Sequence, residues 1–368
     1  MKLFSEKKEC CGCGACVDVC KAGAIRMVQD KEGFWYPRVS QLKCKKCGQC
    51  KQVCPVRNRS VEKDSRLYLG IQAKEDGVRH SSSSGGIFSL LAQYVFDRQG
   101  VVYGAAYNDR MEVVHKEAGD RQQLEQLKRT KYVQSNLNGV YSRIEELLKR
   151  DQWVLFCGTP CQAYGLKLFL KKAYEKLIIV DLICYGVPSP GIWSSYVKYL
   201  ESRHGGRMTD FSFRDKRNKD NGHTCSYVID GKEYAESLHR NLYCKMYFTN
   251  YILRPSCHEC KFCTVERAGD FTIGDFWGIE KVRPEMDDGM GTSVVIAHTD
   301  KAKKVWEEVK KGADWFECRE EEVLQPRLNS PTGVAKRRRD FMRLYRLLPF
   351  ERFLDKVFDD KGLKGEWR

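Results

Sequence analysis

The chain runs to 368 residues, carries a formal charge of +15 and holds 18 cysteines. It is too long to be a cluster module alone and leaves room for a body of roughly two lobes. The segment from Met1 to Glu9 has no apolar stretch to act as a secretory signal, and the longest apolar run, residues 177–184, is broken by Asp181 and too short to cross a bilayer. The expectation is a cytoplasmic protein in a reducing compartment, whose excess of cations suits an acidic partner or substrate.

In chain order the first feature is a pair of cysteine runs, Cys10-x2-Cys13-x2-Cys16-x3-Cys20 and Cys44-x2-Cys47-x2-Cys50-x3-Cys54-Pro55. This is the spacing of a two-cluster ferredoxin module. Soft, charged thiolates suit iron, and three of them within seven residues converge only if the backbone curls around a [4Fe-4S] cube. The fourth cysteine of each run crosses to the other cluster. The expected sets are therefore Cys10, Cys13 and Cys16 with Cys54, and Cys44, Cys47 and Cys50 with Cys20. A zinc ribbon shows paired knuckles, and a disulfide framework belongs to oxidising compartments, so neither fits. Gly12, Gly14 and Gly48 are the expected relief points of the curl. Lys21 stands where such a run usually has proline, and Cys11 is an extra thiol inside it. The ferredoxin-like domain is placed at residues 1–60, with polar residues 55–67 as the join to the body.

A new pattern begins at Leu67. Ser81 to Ser84, Gly85 and Gly86 lead into apolar residues three and four apart over 87–96, which predicts a helix. The serine run reads equally as a flexible linker or as a cap that aims backbone N–H groups at an anion such as a flavin phosphate. A strand over 101–107 follows, then polar helices over 122–128 and 137–150. A strand over 153–156 runs into Cys157-Gly-Thr-Pro-Cys161 and a helix reaching Lys172. Residues 177–182 form a buried strand that delivers Cys184 at its carboxyl end. Asp230-Gly231 turns a hairpin between 225–229 and 232–234. Cys257-x2-Cys260-x2-Cys263 precedes a strand over 270–275, and a strand over 294–297 and a helix from Lys301 complete the body. Strands alternating with helices predict an α/β (α+β) body with a mixed, partly parallel sheet over residues 61–335.

Residues 336–368 form a basic amphipathic tail in which Lys336 to Arg339, Arg343, Arg346 and Arg352 interleave with Phe341, Leu344, Tyr345, Leu347, Leu348, Phe350 and Phe353. Such a tail can dock an acidic electron carrier, a nucleotide-linked substrate or an anionic membrane surface, or can pack its apolar side on the body. Nucleic acid is not an expected partner, because the cations come without a binding module.

Cys161 and Cys184 stand where strands end, the place at which ligands gather in open α/β folds. With Cys257 and Cys260 they complete a third quartet, although spacing across such long intervals proves nothing. Isolated cysteines such as Cys225, Cys244 and Cys318 read as structural. Several stretches, in order, resemble the family of the coenzyme F420 hydrogenase/dehydrogenase beta subunit, in its bacterial form with a ferredoxin module in front. They are Ser83-Ser-Gly-Gly-Ile-Phe88, Thr130-Lys-Tyr-Val-Gln-Ser135, Gly158-Thr-Pro-Cys-Gln162, Asp181-Leu-Ile-Cys-Tyr-Gly-Val-Pro188, Arg254-Pro-Ser-Cys-His-Glu-Cys-Lys-Phe262 and Gly274-Asp-Phe-Trp-Gly278.

The resemblance implies FAD and one further [4Fe-4S] cluster. By motif, Cys161, Cys184, Cys257 and Cys260 are its ligands, with Cys263 in reserve. Ser84, Gly85 and Gly86 are carried over to the flavin phosphates, and Thr130, Lys131, Tyr132 and Ser135 to the neighbourhood of its ring. The implied activity is that of an iron–sulfur flavoprotein oxidoreductase. Its hydride donor or acceptor is coenzyme F420 or an organic double bond, as in the related chlorophyll-pathway reductase. Forms with Arg-Pro-Ser-Cys and Gly-Asp-Phe-Trp-Gly resemble bacterial members often associated with polysaccharide synthesis, so F420 need not be the substrate. Ferredoxin or flavodoxin, or a partner oxidoreductase subunit, is the expected redox partner. The rival reading is a non-catalytic electron-transfer subunit of a larger hydrogenase or dehydrogenase. No acid–base residue stands out; His80 and His223 are candidates, but an isolated histidine is more often structural.

Overall fold

The structure, a computed structural model, describes residues 2–59, 66–217 and 223–359. Part of the expected join, 60–65, and the end of the basic tail, 360–368, lie outside the described residues.

The amino-terminal module is built on two similar halves. Each cysteine run turns through a left-handed glycine into a four-residue helix, Ala15–Asp18 after Gly14 (φ 80°) and Gln49–Gln52 after Gly48 (φ 80°). Gly12 is also left-handed, so all three expected relief points adopt a conformation that costs other residues about 1–2 kcal/mol. An antiparallel hairpin, β1 (Ile25–Gln29) and β2 (Trp35–Val39), joins the halves.

The body is organised by a mixed eight-stranded sheet. Its strands are β3 (Leu67–Ala73), β4 (Val101–Tyr107), β5 (Val113–Ala118), β6 (Val154–Gly158), β7 (Leu177–Leu182), β11 (Phe271–Asp275), β12 (Ser293–Ala297) and β13 (Ala313–Cys318), in the order β13-β3-β12-β11-β7-β6-β4-β5. The central four, β11, β7, β6 and β4, run parallel, and the flanking strands pair antiparallel. The partly parallel sheet expected from the sequence is present.

The central strands read as continuous apolar runs because both faces are covered. On β6 and β7, Leu155, Ile178 and Val180 face a core with the helices Ile87–Phe96 and Asp300–Val309. Val154, Phe156, Leu177 and Ile179 face a second core with the helices Val140–Lys149 and Pro160–Leu170, and this core takes in Cys11, Cys13, Ala15, Cys50 and Val53 of the amino-terminal module. The cluster module is therefore built into the body.

A second layer carries a three-stranded antiparallel sheet, β8 (Met208–Asp215), β9 (Thr224–Ile229) and β10 (Lys232–Ser237), with the hairpin at Asp230-Gly231 as expected. The longest helix, Pro190–His204, was not among the expected elements. Its signals are nonetheless local: the Ser189 cap, whose hydroxyl accepts from Ile192 N at 3.2 Å, the Pro190 start and the left-handed Gly205 stop. Cys225 and Cys244 pack here, their sulfurs 3.5 Å apart.

Two expected helices are shorter than their patterns suggest. The helix expected at 122–128 spans only Arg121–Leu124, and Arg129 adopts φ 62° as the chain departs to wrap a cavity. The helix expected at 137–150 spans Val140–Lys149, because Gly139 (φ 86°) and the Asp18 carboxylate cap its start; Asp18 accepts from Gly139 N at 3.3 Å and Tyr141 N at 3.2 Å. The basic tail forms helices Arg338–Leu347 and Phe350–Asp359, which bury Phe341, Met342, Phe353, Leu354 and Val357 against the aromatic core. Phe341 stacks on Tyr251 at 4.7 Å. Most of the apolar stripe is thus taken up inside the fold, while Leu347 stays exposed. No helix of the described residues is long and apolar enough to cross a membrane.

Candidate electron-transfer and cofactor site

The two amino-terminal thiol groups sort in the crossed fashion that the spacing implies. The Cys16 thiol lies among those of Cys10, Cys54 and Cys50. The Cys50 thiol lies among those of Cys47, Cys20 and Cys44. Cys10, Cys13, Cys16 and Cys54 line one small cavity together with Cys11 and Cys50.

A third group gathers at the carboxyl ends of β6 and β7. A cavity of about 230 Å³ is ringed by the thiols of Cys11, Cys161, Cys184, Cys257, Cys260 and Cys263. Local sequence dictates each position. Pro160 opens the helix Pro160–Leu170 under a Thr159–Gln162 capping box, in which Thr159 N donates to Gln162 Oε1 at 2.9 Å; this sets Cys161 Sγ 3.2 Å from Thr159 Oγ1. Cys184 follows β7 directly. Pro255–Glu259 is a 3-10 turn that presents Cys257, whose sulfur accepts from Val187 N at 3.4 Å.

Burial pushes the Cys184 thiol up to about 12 and raises Cys257, whereas a hydrogen bond from Cys263 brings Cys260 down to about 7. Metal binding at such a site must displace protons. Among the described residues no three His, Cys, Asp or Glu close tightly enough to grip a single ion. Tetrahedral zinc would need sulfurs at about 2.3 Å from one centre. Thiols spread around an open space suit a cube, whose four irons each take one, and six thiols exceed that need by two.

Each buried thiol set faces a buried arginine. Arg267 lines the third cavity and reaches Asp181 at 3.7 Å, both side chains almost fully enclosed. Arg254, 0% exposed, locks the module to the body. Its Nε donates to the Cys10 carbonyl at 2.8 Å and one terminal nitrogen to Gln134 Oε1 at 2.8 Å. The other terminal nitrogen donates to the Trp35 carbonyl at 3.0 Å and approaches Cys10 Sγ at 3.7 Å. Gln134 Nε2 in turn donates to the Cys11 carbonyl at 3.0 Å. The sequence offered Arg254 only as part of a motif, and nothing local reveals its partners 120 to 244 residues away.

Gly12 sits under this lock. A Cβ there would stand 2.6 Å from Gln134 Nε2 and 2.9 Å from Arg254, at φ +73°. Gly12→Ala is expected to destabilise the protein by about 2 kcal/mol or more and to cost iron from the Cys10 set, read by thermal unfolding and iron analysis.

A second, larger cavity of about 530 Å³ opens beside the third thiol set at the ends of β11, β7, β6 and β4. Five residues, Thr159 and Cys184 to Val187, belong to the walls of both. The cavity brings together Ser84, Gly86, Thr130, Lys131, Tyr132 and Ser135, all expected from the sequence. Gly85 lies behind them. A Cβ there would stand 2.1 Å from the Ile71 carbonyl, and its N–H donates to Ser293 Oγ at 2.9 Å.

The serine run is neither a linker nor a row of open hydroxyls. Ser83 Oγ accepts from Thr130 N at 2.8 Å and Ser84 Oγ donates to the Thr292 carbonyl at 2.9 Å. What remains toward the cavity is the start of the helix Ile87–Phe96, whose first amides have no partner within the helix. Lys216, almost fully buried, staples this loop by donating to the carbonyls of Arg79, Ser84 and Met290 at 3.1, 2.7 and 2.5 Å.

Ser135 Oγ is held by Gln162 Nε2 at 2.9 Å. Tyr132 lies in an aromatic pile with Phe213, Tyr247 and Phe248. Lys131 Nζ donates to the carbonyls of Gln126 and Lys128, and burial brings it down to about 7. The Arg214–Asp275 ion pair and the exposed Trp277 also line the cavity; neither Arg214 nor Lys216 was expected from the sequence. His80 is exposed at the end of the helix Asp76–His80, and His223 is exposed beside His239; neither lines the cavity.

Cysteine groups in this arrangement, around an α/β sheet, define an iron–sulfur electron-transfer protein of oxidoreductase type. Residues 9–58 match the 4Fe-4S dicluster domain, and residues 151–321 match the C terminus of the coenzyme F420 hydrogenase/dehydrogenase beta subunit. The two matched segments stand in the order ferredoxin-like first and beta-subunit-like second. Among curated proteins, a subunit of the F(420)H(2) dehydrogenase of Methanosarcina mazei is 24% identical over 188 residues, 48% of this chain and 53% of the relative. The chain spans about half the length of the curated relative it matches. Among solved structures, a chain of the F420-reducing [NiFe] hydrogenase complex from Methanosarcina barkeri aligns with a TM-score of 0.46 at 17% identity, over 82% of this chain and 94% of that one.

Proposed function

We propose that the chain is an iron–sulfur flavoprotein oxidoreductase, with two clusters in the amino-terminal module, one held by four of the body thiols, and FAD in the 530 Å³ cavity. The observation that carries this reading is the wall common to thiol set and cavity, through Thr159 and Cys184 to Val187. Bound flavin supplies the exchange between single electrons and hydride. The cavity lies within the ~300–1,000 Å³ of small-molecule sites and combines apolar and aromatic walls with a few polar groups.

The residues divide the work. Cys161, Cys184, Cys257 and Cys260 hold the third cluster, with Cys263 the alternative to Cys260, and Arg267 offsets their negative charge. Cys11, on the walls of both neighbouring thiol cavities and beside the thiols of Cys13 and Cys161, sits on the route between them. The amides at the start of the helix Ile87–Phe96 and the Lys131 ammonium receive the anionic parts of FAD. Trp277 and the Arg214–Asp275 pair remain at the cavity wall for the hydride donor or acceptor, F420 or an organic molecule.

Lys131 gives this reading a pH signature. The charged and titratable groups around it are Arg129, Asp210, Cys157 and His115. Burial, reinforced by Arg129, leaves it protonated only below about pH 7, against an ordinary value of 10.5. An anion binds better to the protonated form, so FAD affinity is expected to strengthen as pH falls through about 7, and Lys131→Met is expected to flatten that dependence. Equilibrium dialysis of FAD between pH 6 and 8.5 measures it.

The relative from Methanosarcina mazei is one subunit of a dehydrogenase, which favours a second reading, an adaptor that passes electrons to a larger enzyme. Anaerobic assays separate the two. Hydride turnover by the isolated chain supports the enzyme, and turnover only after adding a second subunit supports the adaptor.

A further inference from the structure

We propose that the face of the amino-terminal module around Cys47 is the docking surface for an acidic one-electron carrier protein. This rests on the reading that the cysteine runs hold clusters, and it moves the partner site away from the basic tail.

The first observation is exposure. Of the 18 cysteines, Cys47 alone is exposed, and the others are partly or fully buried. The set of Cys20, Cys44, Cys47 and Cys50 thus presents the most exposed thiol, and an external protein can bring its own redox centre closest there. In the other two sets every thiol is partly or fully buried, beside Arg254 in one and Arg267 in the other.

The second observation is charge. From Gly33 to Arg59 the sequence has no Asp or Glu. Around Cys47 stand Lys43, Lys45, Lys46 and Lys51, all exposed, and none has an acidic partner among the described residues. Lys21 extends the rim beside Cys20. Lys46 is held in a left-handed turn, φ 53°, immediately before the exposed thiol. A cationic rim of this density steers an acidic protein into place and raises association rates about 10–10³-fold at low salt.

The third observation is an apolar anchor. Leu42 is wholly exposed, next to Lys43. An apolar residue inside a ring of like charges matches the core-and-rim pattern of protein interfaces. The basic tail has an exposed apolar residue of its own, Leu347, beside Arg343 and Arg346, but most of its apolar side is buried and none of its residues lines a thiol cavity. Docking at the rim lets one electron pass between the carrier and the exposed cluster, with no proton moved. Two such encounters balance the two electrons of one hydride exchanged deeper in the protein, whose proton is exchanged with water.

The test uses the full chain with its clusters, under anaerobic conditions, and a reduced acidic ferredoxin as the probe. The triple variant Lys43→Glu/Lys45→Glu/Lys46→Glu is expected to slow second-order cluster reduction by the ferredoxin about tenfold or more at low salt. Reduction by methyl viologen, a small cation, is expected to persist. The neutral variant Lys43→Gln/Lys45→Gln/Lys46→Gln and Leu42→Ser are expected to slow it several-fold, and they keep the test decisive should the charge reversal cost clusters. The tail variant Arg339→Glu/Arg343→Glu/Arg352→Glu is expected to react as the parent does. Unchanged ferredoxin kinetics in the rim variants, or a loss confined to the tail variant, would overturn the docking site. Failure of the parent chain itself to accept electrons from methyl viologen would instead overturn the cluster reading.

Discussion

Replacing Cys257 and Cys260 together with alanine is expected to remove about four of about twelve irons per chain, while the signal of the amino-terminal clusters stays. The double change is needed because the cavity is over-supplied with thiols, and Cys263 lies beside Cys260. A single replacement leaves five thiols around the space. Removing both leaves Cys161, Cys184 and Cys263, one thiol short of a cube's four, with Cys11 drawn against the Cys13 thiol of the neighbouring set. Since Cys184 also lines the flavin cavity, the same variant is expected to lose electron transfer to that cavity nearly completely. Iron and sulfide analysis with electron paramagnetic resonance of the reduced protein measures the first effect; unchanged iron would make these thiols structural.

Arg254→Met is expected to be the most damaging single change to the fold. It removes hydrogen bonds at 2.8, 2.8 and 3.0 Å from a fully enclosed site and leaves the Cys10 and Trp35 carbonyls and Gln134 Oε1 without them. It also removes a cation stacked 4.2 Å over Tyr36. Breaking a buried charged network of this kind costs about 3–5 kcal/mol, a large part of a typical total stability. Because the same guanidinium reaches Cys10 Sγ, protein that still folds is expected to show a lower reduction potential for the cluster of the Cys10 set, as positive charge and hydrogen bonding near cluster sulfurs favour the reduced form. Thermal unfolding and redox titration read the two effects separately. Normal stability with an unshifted potential would contradict the role given to Arg254.

How far the sequence reaches depends on whether the information is local. The two cysteine runs, the strands at 101–107 and 177–182, the helix at 87–96 and the hairpin at Asp230-Gly231 are all encoded by spacing, periodicity or a turn dipeptide, and the structure contains them. The convergence of Cys161, Cys184, Cys257 and Cys260 was suggested by resemblance and by the strand-end position of two of them, and the fold draws all four to one cavity. What stayed hidden is long-range. The partners of Arg254 span both modules, and Lys216 reaches three carbonyls from the end of β8 to hold a loop more than a hundred residues earlier. Nothing in their neighbours marks these cations as buried. The basic tail shows the opposite failure: its strong amphipathic pattern is real, but a pattern alone does not say whether the partner is a membrane, a protein or the chain's own core.

The central claim is that thiols from distant segments seat an additional cluster beside a bound flavin. It is tested most directly by counting iron, sulfide and flavin together on anaerobically purified full-length protein. About twelve irons with matching sulfide and about one FAD per chain are expected. Eight irons with no flavin would contradict the claim, leaving the amino-terminal module as the only redox unit.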